Sequence, residues 1–166
     1  YSFEYDYYSL INYTDDNKRI EKYLKILDQY KLSPHEYAFT YSNLSVSYHR
    51  INDLEKAVYY AALSSIYDIR NSIRETTSKY NLGQWMYELG NIDFASKAMQ
   101  AAMDDAKFYD NRSRKIEISS FLPIVELERH EIIENQKDRL AKMLIVISVL
   151  ALVSLLMLVV ILRQII

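Results

Sequence analysis

Three histidines are the residues of this chain best suited to bind a metal or to transfer protons near neutral pH. His35, His49 and His130 lie far apart along the chain. The segment HEIIE begins at His130 like a zinc-protease helix, but Glu134 occupies the place of its second histidine. That motif supplies two histidine ligands one helical turn apart. We therefore predict a solvated helix face here and no metal site.

Two pairs of adjacent aspartates, Asp15–Asp16 and Asp104–Asp105, are the next candidates for chemistry. Neighbouring residues of a helix do not face each other, so paired acid–base work is not expected, and Asp15–Asp16 suits a turn or a helix cap. The chain has no cysteine and only two glycines, too few for a phosphate-binding loop. The sequence thus predicts no catalytic residue, no cofactor and no enzyme activity.

The overall composition favours helices. The chain of 166 residues has a formal charge of −2, with 16 tyrosines but only two glycines and two prolines. So few breakers leave little room for the turns of a many-stranded sheet. Because no part of the chain is strongly basic, we expect no nucleic-acid partner within this segment.

The C-terminal part contains 20 consecutive uncharged residues, Met143–Leu162. At about 1.5 Å per residue, such a helix spans the hydrocarbon core of a bilayer, which is about 30 Å thick. The alternative is a buried core helix, which a domain of this size could hardly surround. We predict one transmembrane helix, so the lipid bilayer is an expected partner.

A repeated pattern occupies the middle of the chain. When Leu44 is placed on Leu82, a shift of 38 residues, small residues align with small ones and large apolar residues with large ones. Each copy indicates two helices joined by a tight turn, INDL at Ile51–Leu54 and LGNI at Leu89–Ile92. A weaker copy is indicated 37 residues before the first, at Tyr7, Tyr8, Ile11, Ile20, Leu24 and Leu27.

The two copies resemble tetratricopeptide repeats. The first copy carries the signature at Tyr41, Leu44, Ser45, Tyr48, Ala57 and Ala61, and the second at Lys79, Leu82, Gly83, Met86, Ala95 and Met99. Lys79 departs from the usual aromatic residue. The resemblance implies an all-α fold, a tetratricopeptide-like α–α superhelix, followed here by a long juxtamembrane helix and the transmembrane helix.

The predicted organisation has three parts. Helical repeats with a capping helix occupy residues 1–122, a juxtamembrane helix 123–142 and the transmembrane helix 143–162. Ser33 and Glu36 predict a capping box at the start of a helix. The capping helix, about 112–121, is expected to pack through Ile116, Ile118 and Leu122, and Pro123 to kink or restart the chain. The juxtamembrane helix shows no sustained heptad, which leaves a homodimer open.

A groove lined by the first helix of each pair is what the resemblance implies for function. Its predicted residues are Tyr5, Ser9, Asn12, Ser42, Val46, His49, Tyr80, Gln84 and Tyr87. Tyrosine suits recognition of a protein or peptide, with a saccharide as the other candidate. The alternative is that several tyrosines simply pack between helices.

The layout as a whole resembles bacterial membrane-anchored regulators with tetratricopeptide repeats, similar to starch-utilisation regulators. Nearly the whole chain, from Ala61–Glu75 and Leu89–Glu126 to the apolar span, carries this resemblance. It implies a sensor or interaction region in the inner (cytoplasmic) membrane with periplasmic repeats, followed by a coiled coil and a DNA-binding region. Three basic residues before the span against Arg163 after it favour the opposite orientation. The alternative function is a membrane-anchored scaffold that recruits a protein without signalling.

Overall fold

The computed structural model describes residues 14–72 and 76–165, and this part of the chain is helical without a strand, as the sequence predicted. Its helices are α1 (Asp16–Gln29), α2 (Pro34–Arg50), α3 (Leu54–Arg70), α4 (Thr76–Glu88), α5 (Ile92–Phe108) and α6 (Arg112–Ile165). Helices α2 and α3 pack together as hairpin I, and α4 and α5 as hairpin II. Contacts between α3 and α4 join the hairpins, and α1 packs against α2. The tetratricopeptide-like stacking of hairpins is thus confirmed.

The turns inside the two hairpins have the same geometry. Two residues after the first helix of each hairpin ends, the backbone is left-handed, at Asn52 with φ 61° in hairpin I and at Gly90 with φ 77° in hairpin II. The next side chains, Asp53 and Asn91, each accept the backbone N–H three residues further on, at 3.1 and 3.2 Å. Left-handed asparagine and glycine satisfy the last carbonyls of one helix, and the caps satisfy the first N–H groups of the next.

Helix α2 begins with the predicted capping box. The backbone N–H of Glu36 donates to the Ser33 hydroxyl at 3.3 Å, and the Ser33 N–H donates to the Glu36 carboxylate at 2.6 Å. Hydrogen bonds from the side chain and backbone of Ser33 lower the pKa of Glu36. Pro34 follows at the first helical position, where its missing N–H costs nothing. These contacts fix the residue at which α2 begins.

Close approach of the helices within hairpin II depends on Gly83. A Cβ added there would lie 2.6 Å from Met99 Cγ and 3.3 Å from the Ala95 carbonyl oxygen. Met99 and Ala95 are fully buried. The small residue predicted at this position therefore makes room for a large neighbour on α5.

Helix α1 occupies the place of the second helix in the weaker, earlier copy. Ile20 is buried and Leu27 packs partly buried against the core, as expected, but Leu24 is 39% exposed, and Tyr23 and Ile26 are buried instead. The buried residues Ile20, Tyr23 and Ile26 therefore follow steps of three, whereas the alignment with later copies expected a step of four from Ile20 to Leu24. The expected residues Tyr7, Tyr8 and Ile11 lie outside the described residues.

The first turns of α6 cover the end of hairpin II. Ile118 and Val125 are fully buried in one cluster with apolar residues of α4 and α5, whereas Ile116 is 61% exposed, so its predicted packing role was wrong. The helix also continues through Pro123, so of the expected kink or restart at this residue the restart is wrong. Proline inside a helix loses one hydrogen bond and crowds the preceding turn. Burial of Ile118 and Val125 on either side offsets that cost.

The chain divides into two compact units, with the boundary between Glu126 and Leu127. In the second unit, the side chains of the predicted span, Met143–Leu162, are all exposed. Ser148 and Ser154 donate to backbone carbonyls about one turn earlier, both at 2.8 Å, which satisfies their hydroxyls. Within the described chain, α6 is the helix whose length and composition suit a membrane crossing.

Candidate ligand groove

The predicted groove residues that the structure describes lie on the first helices of the two hairpins. Helix α2 carries Ser42, Val46 and His49, and helix α4 carries Tyr80, Gln84 and Tyr87. The remaining predictions, Tyr5, Ser9 and Asn12, lie outside the described residues.

A cleft of about 240 Å³ opens between α2 and α4. Its lining includes His35, Phe39, Ser42 and Val46 of α2, Asp68 of α3 and Thr77 of α4. Two of the predicted groove residues, Ser42 and Val46, therefore belong to one concave surface. The cleft combines an aromatic ring, hydroxyls and a carboxylate, a mixture typical of sites that orient a polar ligand.

Buried hydroxyls hold the three helices around this cleft. The Ser64 hydroxyl of α3 donates to the Ala38 carbonyl oxygen of α2 at 2.7 Å and lies 2.6 Å from the Ser78 hydroxyl of α4. Ser64 and Ser78 are almost fully buried. Because buried hydroxyls are costly when unpaired, this network fixes the spacing of α2 and α4 and thus the width of the cleft.

His49 links the two helices at the other end of the surface. Its ring stacks on Trp85 of α4 with centroids 4.8 Å apart, and its Nε2 lies 3.2 Å from a carboxylate oxygen of Glu88. Trp85 is buried in the core, whereas His49 and Glu88 are partly exposed. His49 thus connects α2 to α4 through ring stacking and a polar contact.

Two predicted tyrosines of α4 make internal contacts. Tyr80 is only 4% exposed and lies beneath Arg114, whose Cζ is 5.4 Å from the ring centroid. Burial, and then the charge of Glu117, raise the pKa of Tyr80. Its ring therefore offers almost no surface to a ligand. Tyr87 packs edge-on against Phe121 of α6 at 5.2 Å and is half-buried.

The other expectation for the tyrosines, packing between helices, applies to hairpin I. Tyr48 and Tyr60 stack with centroids 5.3 Å apart and planes inclined by 4°. Tyr41 contacts both Tyr60, at 6.0 Å, and Tyr67, at 5.7 Å. Burial raises the pKa of Tyr41 and of Tyr60. These rings form an aromatic layer between α2 and α3.

The aspartates and histidines considered for catalysis have structural roles. The Asp15 side chain caps α1, and Asp16 pairs with Arg19 at 3.3 Å. His130 pairs with Glu134 at 3.3 Å on an exposed helix face, as predicted. In the described ranges, 14–72 and 76–165, no group of three metal-ligating side chains comes together.

His35 and Phe39 are cleft residues that sequence reasoning missed. Their rings stack with centroids 6.4 Å apart, and Phe39 is 44% exposed. A signal was present, because positions 35, 39, 42, 46 and 49 alternate steps of four and three residues. Such steps keep side chains on one helix face. Extending the predicted stripe by two turns toward the start of α2 finds both residues.

A family model described as the SusR N-terminal TPR domain matches residues 2–120. The chain belongs to this family. The match covers both hairpins and the first turns of α6 and ends before the uncharged segment of the SusR-type chain. Among curated proteins, none is similar enough to indicate a relative. Tetratricopeptide repeats form a fold used for protein interaction.

Proposed function

We propose that this chain is the sensor or interaction region of a membrane-anchored regulator. It binds a protein or a small ligand on the surface formed by α2 and α4 and relays the binding across the inner membrane. The combination of a SusR-type TPR domain with an uncharged segment of 20 residues in one chain carries this proposal. The resemblance to starch-utilisation regulators favours regulation of transcription as the output.

Binding without catalysis is the activity we assign to the repeats. The exposed cleft offers aromatic, hydroxyl and carboxylate groups. Outside the cleft, Asp53 caps α3 and Asp105 pairs with Lys79, so these two carboxylates have structural roles. A groove of this kind selects a ligand through shape and hydrogen bonds rather than through a reaction.

Helix α6 is the element we assign to the relay. It contributes Ile118 and Val125 to the repeat core, and the same helix contains the candidate span. A ligand can shift such an element only if it binds two arrangements of the repeats with different affinity. The proposal therefore requires a groove whose occupancy changes the packing of Ile118.

The orientation of the repeats is part of the proposal. The family resemblance favours periplasmic repeats, whereas Lys137, Arg139 and Lys142 before the span favour cytoplasmic ones. Protease added to intact spheroplasts tests this directly. Digestion of the repeats supports the periplasmic orientation, and protection until the membrane is opened contradicts it.

The relay is tested by blocking the groove in the intact protein in its native host. The variants Ser42→Arg and Gln84→Arg each place a large charged side chain on the predicted surface. The matched control is Ala101→Arg, at an exposed position on α5. We expect the two groove variants, but not the control, to change the set of transcribed genes. Unchanged transcription in all three contradicts the relay.

A membrane-anchored scaffold is the second candidate. It has the same anchor and the same binding surface but no output across the membrane. Photocross-linking from Gln84 that captures one partner, together with unchanged transcription in the groove variants, is the result that favours it. The coding sequence downstream of Ile166 is a further discriminator, since a DNA-binding region there supports the regulator.

A further inference from the structure

The outer face of α3 carries a row of exposed apolar side chains. Tyr59 is 59% exposed, Ile66 41% and Ile69 64%, and Leu63 between them is partly exposed. Steps of four, three and three residues keep these four side chains, the α3 stripe, on one face of the helix. The opposite face of α3 is buried in the repeats and includes Ala57, Ala61, Ser64 and Asp68.

Hairpin II has charged residues at the equivalent positions. The residues 38 positions later, on α5, are Lys97, Ala101, Asp104 and Lys107. Lys97 pairs with Asp93 at 2.5 Å, and Lys107 pairs with Asp104 at 3.9 Å. Because these positions accept charged side chains, the fold itself does not require an apolar row there. Contiguous exposed apolar residues mark sites of interaction.

Opposite charges lie at the two ends of the α3 stripe. Glu55 lies one turn before Tyr59, and Arg70 lies one turn after Ile66. Both charged side chains are exposed, and neither has an ion-pair partner among the described residues. One end of the stripe is therefore negative and the other positive. An antiparallel copy of the same helix complements this arrangement, since it presents the two charges in reverse order.

The spacing of these residues is also self-complementary. The midpoint between Glu55 and Arg70 lies just after Ala62, and Tyr59 and Ile66 have the same midpoint. A two-fold axis through this point places each residue of a pair opposite its counterpart in an antiparallel second copy. Two ion pairs and two apolar contacts then form together. Alanine beside the axis lets the two helices approach closely.

We propose that the α3 stripe binds the α3 stripe of a second copy of this chain, with the two helices antiparallel. The occupant of this surface is thus a second copy and not a ligand of the groove. The dimer is independent of the binding surface formed by α2 and α4, because its contacts come from the opposite, outer face of α3.

The contact is small and depends on the membrane anchor. From Glu55 to Arg70 the helix extends about 22 Å, so at a helix diameter of about 10 Å the pair buries roughly 500 Å² in total. Stable protein pairs in solution bury about 1,200–2,000 Å². The candidate span of α6 confines both copies to one membrane and so raises their effective concentration. We therefore expect the dimer in the anchored chain.

The test uses the full chain in liposomes. Because the chain has no cysteine, Ala62→Cys introduces a single thiol beside the proposed axis. Mild oxidation should link two copies through a disulfide, and a non-reducing gel measures the cross-linked fraction. Ala101→Cys, at an exposed position on α5, is the control for random collisions. We expect it to yield roughly fivefold less dimer, because its thiols are not held within disulfide distance.

Charge reversal in the Ala62→Cys chain tests the antiparallel register. Glu55→Arg places arginines opposite each other at both ends and should lower the cross-linked fraction about threefold. Arg70→Glu should have the same effect through facing carboxylates. The double variant Glu55→Arg/Arg70→Glu restores opposite charges and should restore the cross-linked fraction. This rescue is expected for an antiparallel pair of identical chains and not for a parallel pair.

A third substitution tests the apolar contact. Ile66→Asp gives α3 the residue type that α5 has at position 104, and it should lower the cross-linked fraction roughly tenfold, since two apolar contacts are lost. The matched control is Ile116→Asp, on an isoleucine of α6 that is 61% exposed, and it should cross-link like the unaltered stripe. Trp85 fluorescence checks that each variant is folded, and the charge variants keep the test valid if Ile66→Asp is not.

Three outcomes overturn the proposal. Equal cross-linking of Ala62→Cys and Ala101→Cys would show random collision in the membrane. A double charge variant that stays as weak as its single variants would remove the antiparallel register. Cross-linking of Ala62→Cys to a different protein in the native host, instead of to a second copy, would assign the stripe to that protein. None of these results depends on transcription or on the groove variants, so a failed dimer and a failed regulator are distinguishable.

Discussion

The two hairpins share one backbone plan but fill equivalent positions with different chemistry. In hairpin I, Tyr41 and Tyr67 are in ring contact at 5.7 Å between the helices. The residues 38 positions later in hairpin II are Lys79 and Asp105, which form an ion pair with both side chains only 11% exposed. Both members of the pair have changed together. A contact between the two helices of a hairpin can therefore be aromatic or ionic provided that its two residues match.

A second equivalent pair differs in volume. Ser45 and Ala61 of hairpin I correspond to Gly83 and Met99 of hairpin II. The smaller residue on α4 is matched by a larger one on α5, and the added-Cβ distance of 2.6 Å at Gly83 shows how closely they meet. The two positions have thus changed together, with a smaller residue on one helix where the facing residue is larger.

The largest expected effect comes from breaking the ion pair. Lys79→Met leaves Asp105 buried without its cation, and we expect a loss of about 3–5 kcal/mol in the free energy of unfolding. Urea unfolding in detergent micelles, followed by fluorescence of the single tryptophan, Trp85, measures this. The control is Lys97→Met, since Lys97 and Asp93 are exposed and the pair contributes at most about 0.5 kcal/mol.

A double substitution compares the ionic pair of hairpin II directly with the aromatic pair of hairpin I. Replacing Lys79 and Asp105 together by tyrosine introduces the aromatic pair of hairpin I. We expect the double variant to be more stable than Lys79→Met, because no buried charge remains unpaired. Equal losses for Lys79→Met and Lys97→Met would contradict the importance of the pair.

The next largest effect on stability is expected at the contact between Gly83 and Met99. Gly83→Ser places a Cβ against Met99 and should cost about 1–3 kcal/mol through overpacking. In Gly83→Ser with Met99→Ala, which reproduces the contact of hairpin I, the cost should be smaller than the sum of the two single losses by roughly 1 kcal/mol. Urea unfolding gives all three values. Simple additivity would show that the two positions are independent.

The helix caps inside the hairpins differ in charge and therefore in their response to pH. Asn91→Ala should cost about 1 kcal/mol at any pH, because the lost cap is neutral. In hairpin I, the hydrogen bond with Lys56 lowers the pKa of Asp53. The stability from Asp53 is then present above its unfolded pKa and is lost as pH falls through its folded value. The cost of Asp53→Ala should therefore shrink in acid, and a cost independent of pH would contradict this.

The smallest effect is expected at alkaline pH. Burial, followed by the neighbouring Tyr67, raises the pKa of Tyr41, so the folded state holds this proton more tightly. Its stability is present below the unfolded pKa and is lost as pH rises through the folded value. Tyr41→Phe should thus shift the midpoint of alkaline unfolding upward, as Trp85 fluorescence can measure. An unchanged midpoint would contradict the predicted role of the phenol.

Local features of the fold could be predicted from sequence because short-range rules decide them. The Ser33 capping box and the turns at Asn52 and Gly90 depend on residues within one helical turn, and all three are present. The continuation of α6 through Pro123 could not be predicted in this way. It depends on burial of Ile118 and Val125 against the hairpins, which a local rule does not contain.

The candidate site was predictable only in part. Ser42 and Val46 line the cleft as one helix face, but Tyr80 on the matching face of α4 is buried beneath Arg114. The periodicity of one helix indicates which residues share a face. It does not indicate that Arg114, at the start of α6, will cover Tyr80.

By itself, the sequence determined the repeat of 38 residues, the positions of the turns and the uncharged segment of 20 residues, since spacing and composition act along the chain. Only the tertiary structure decided that Asp68 of one helix borders the same cleft as Phe39 of another, and that Lys79 meets Asp105. Those pairings are 29 and 26 residues apart in sequence (68 − 39 and 105 − 79). They form because packing of helices against each other, rather than any local preference, brings such distant side chains together.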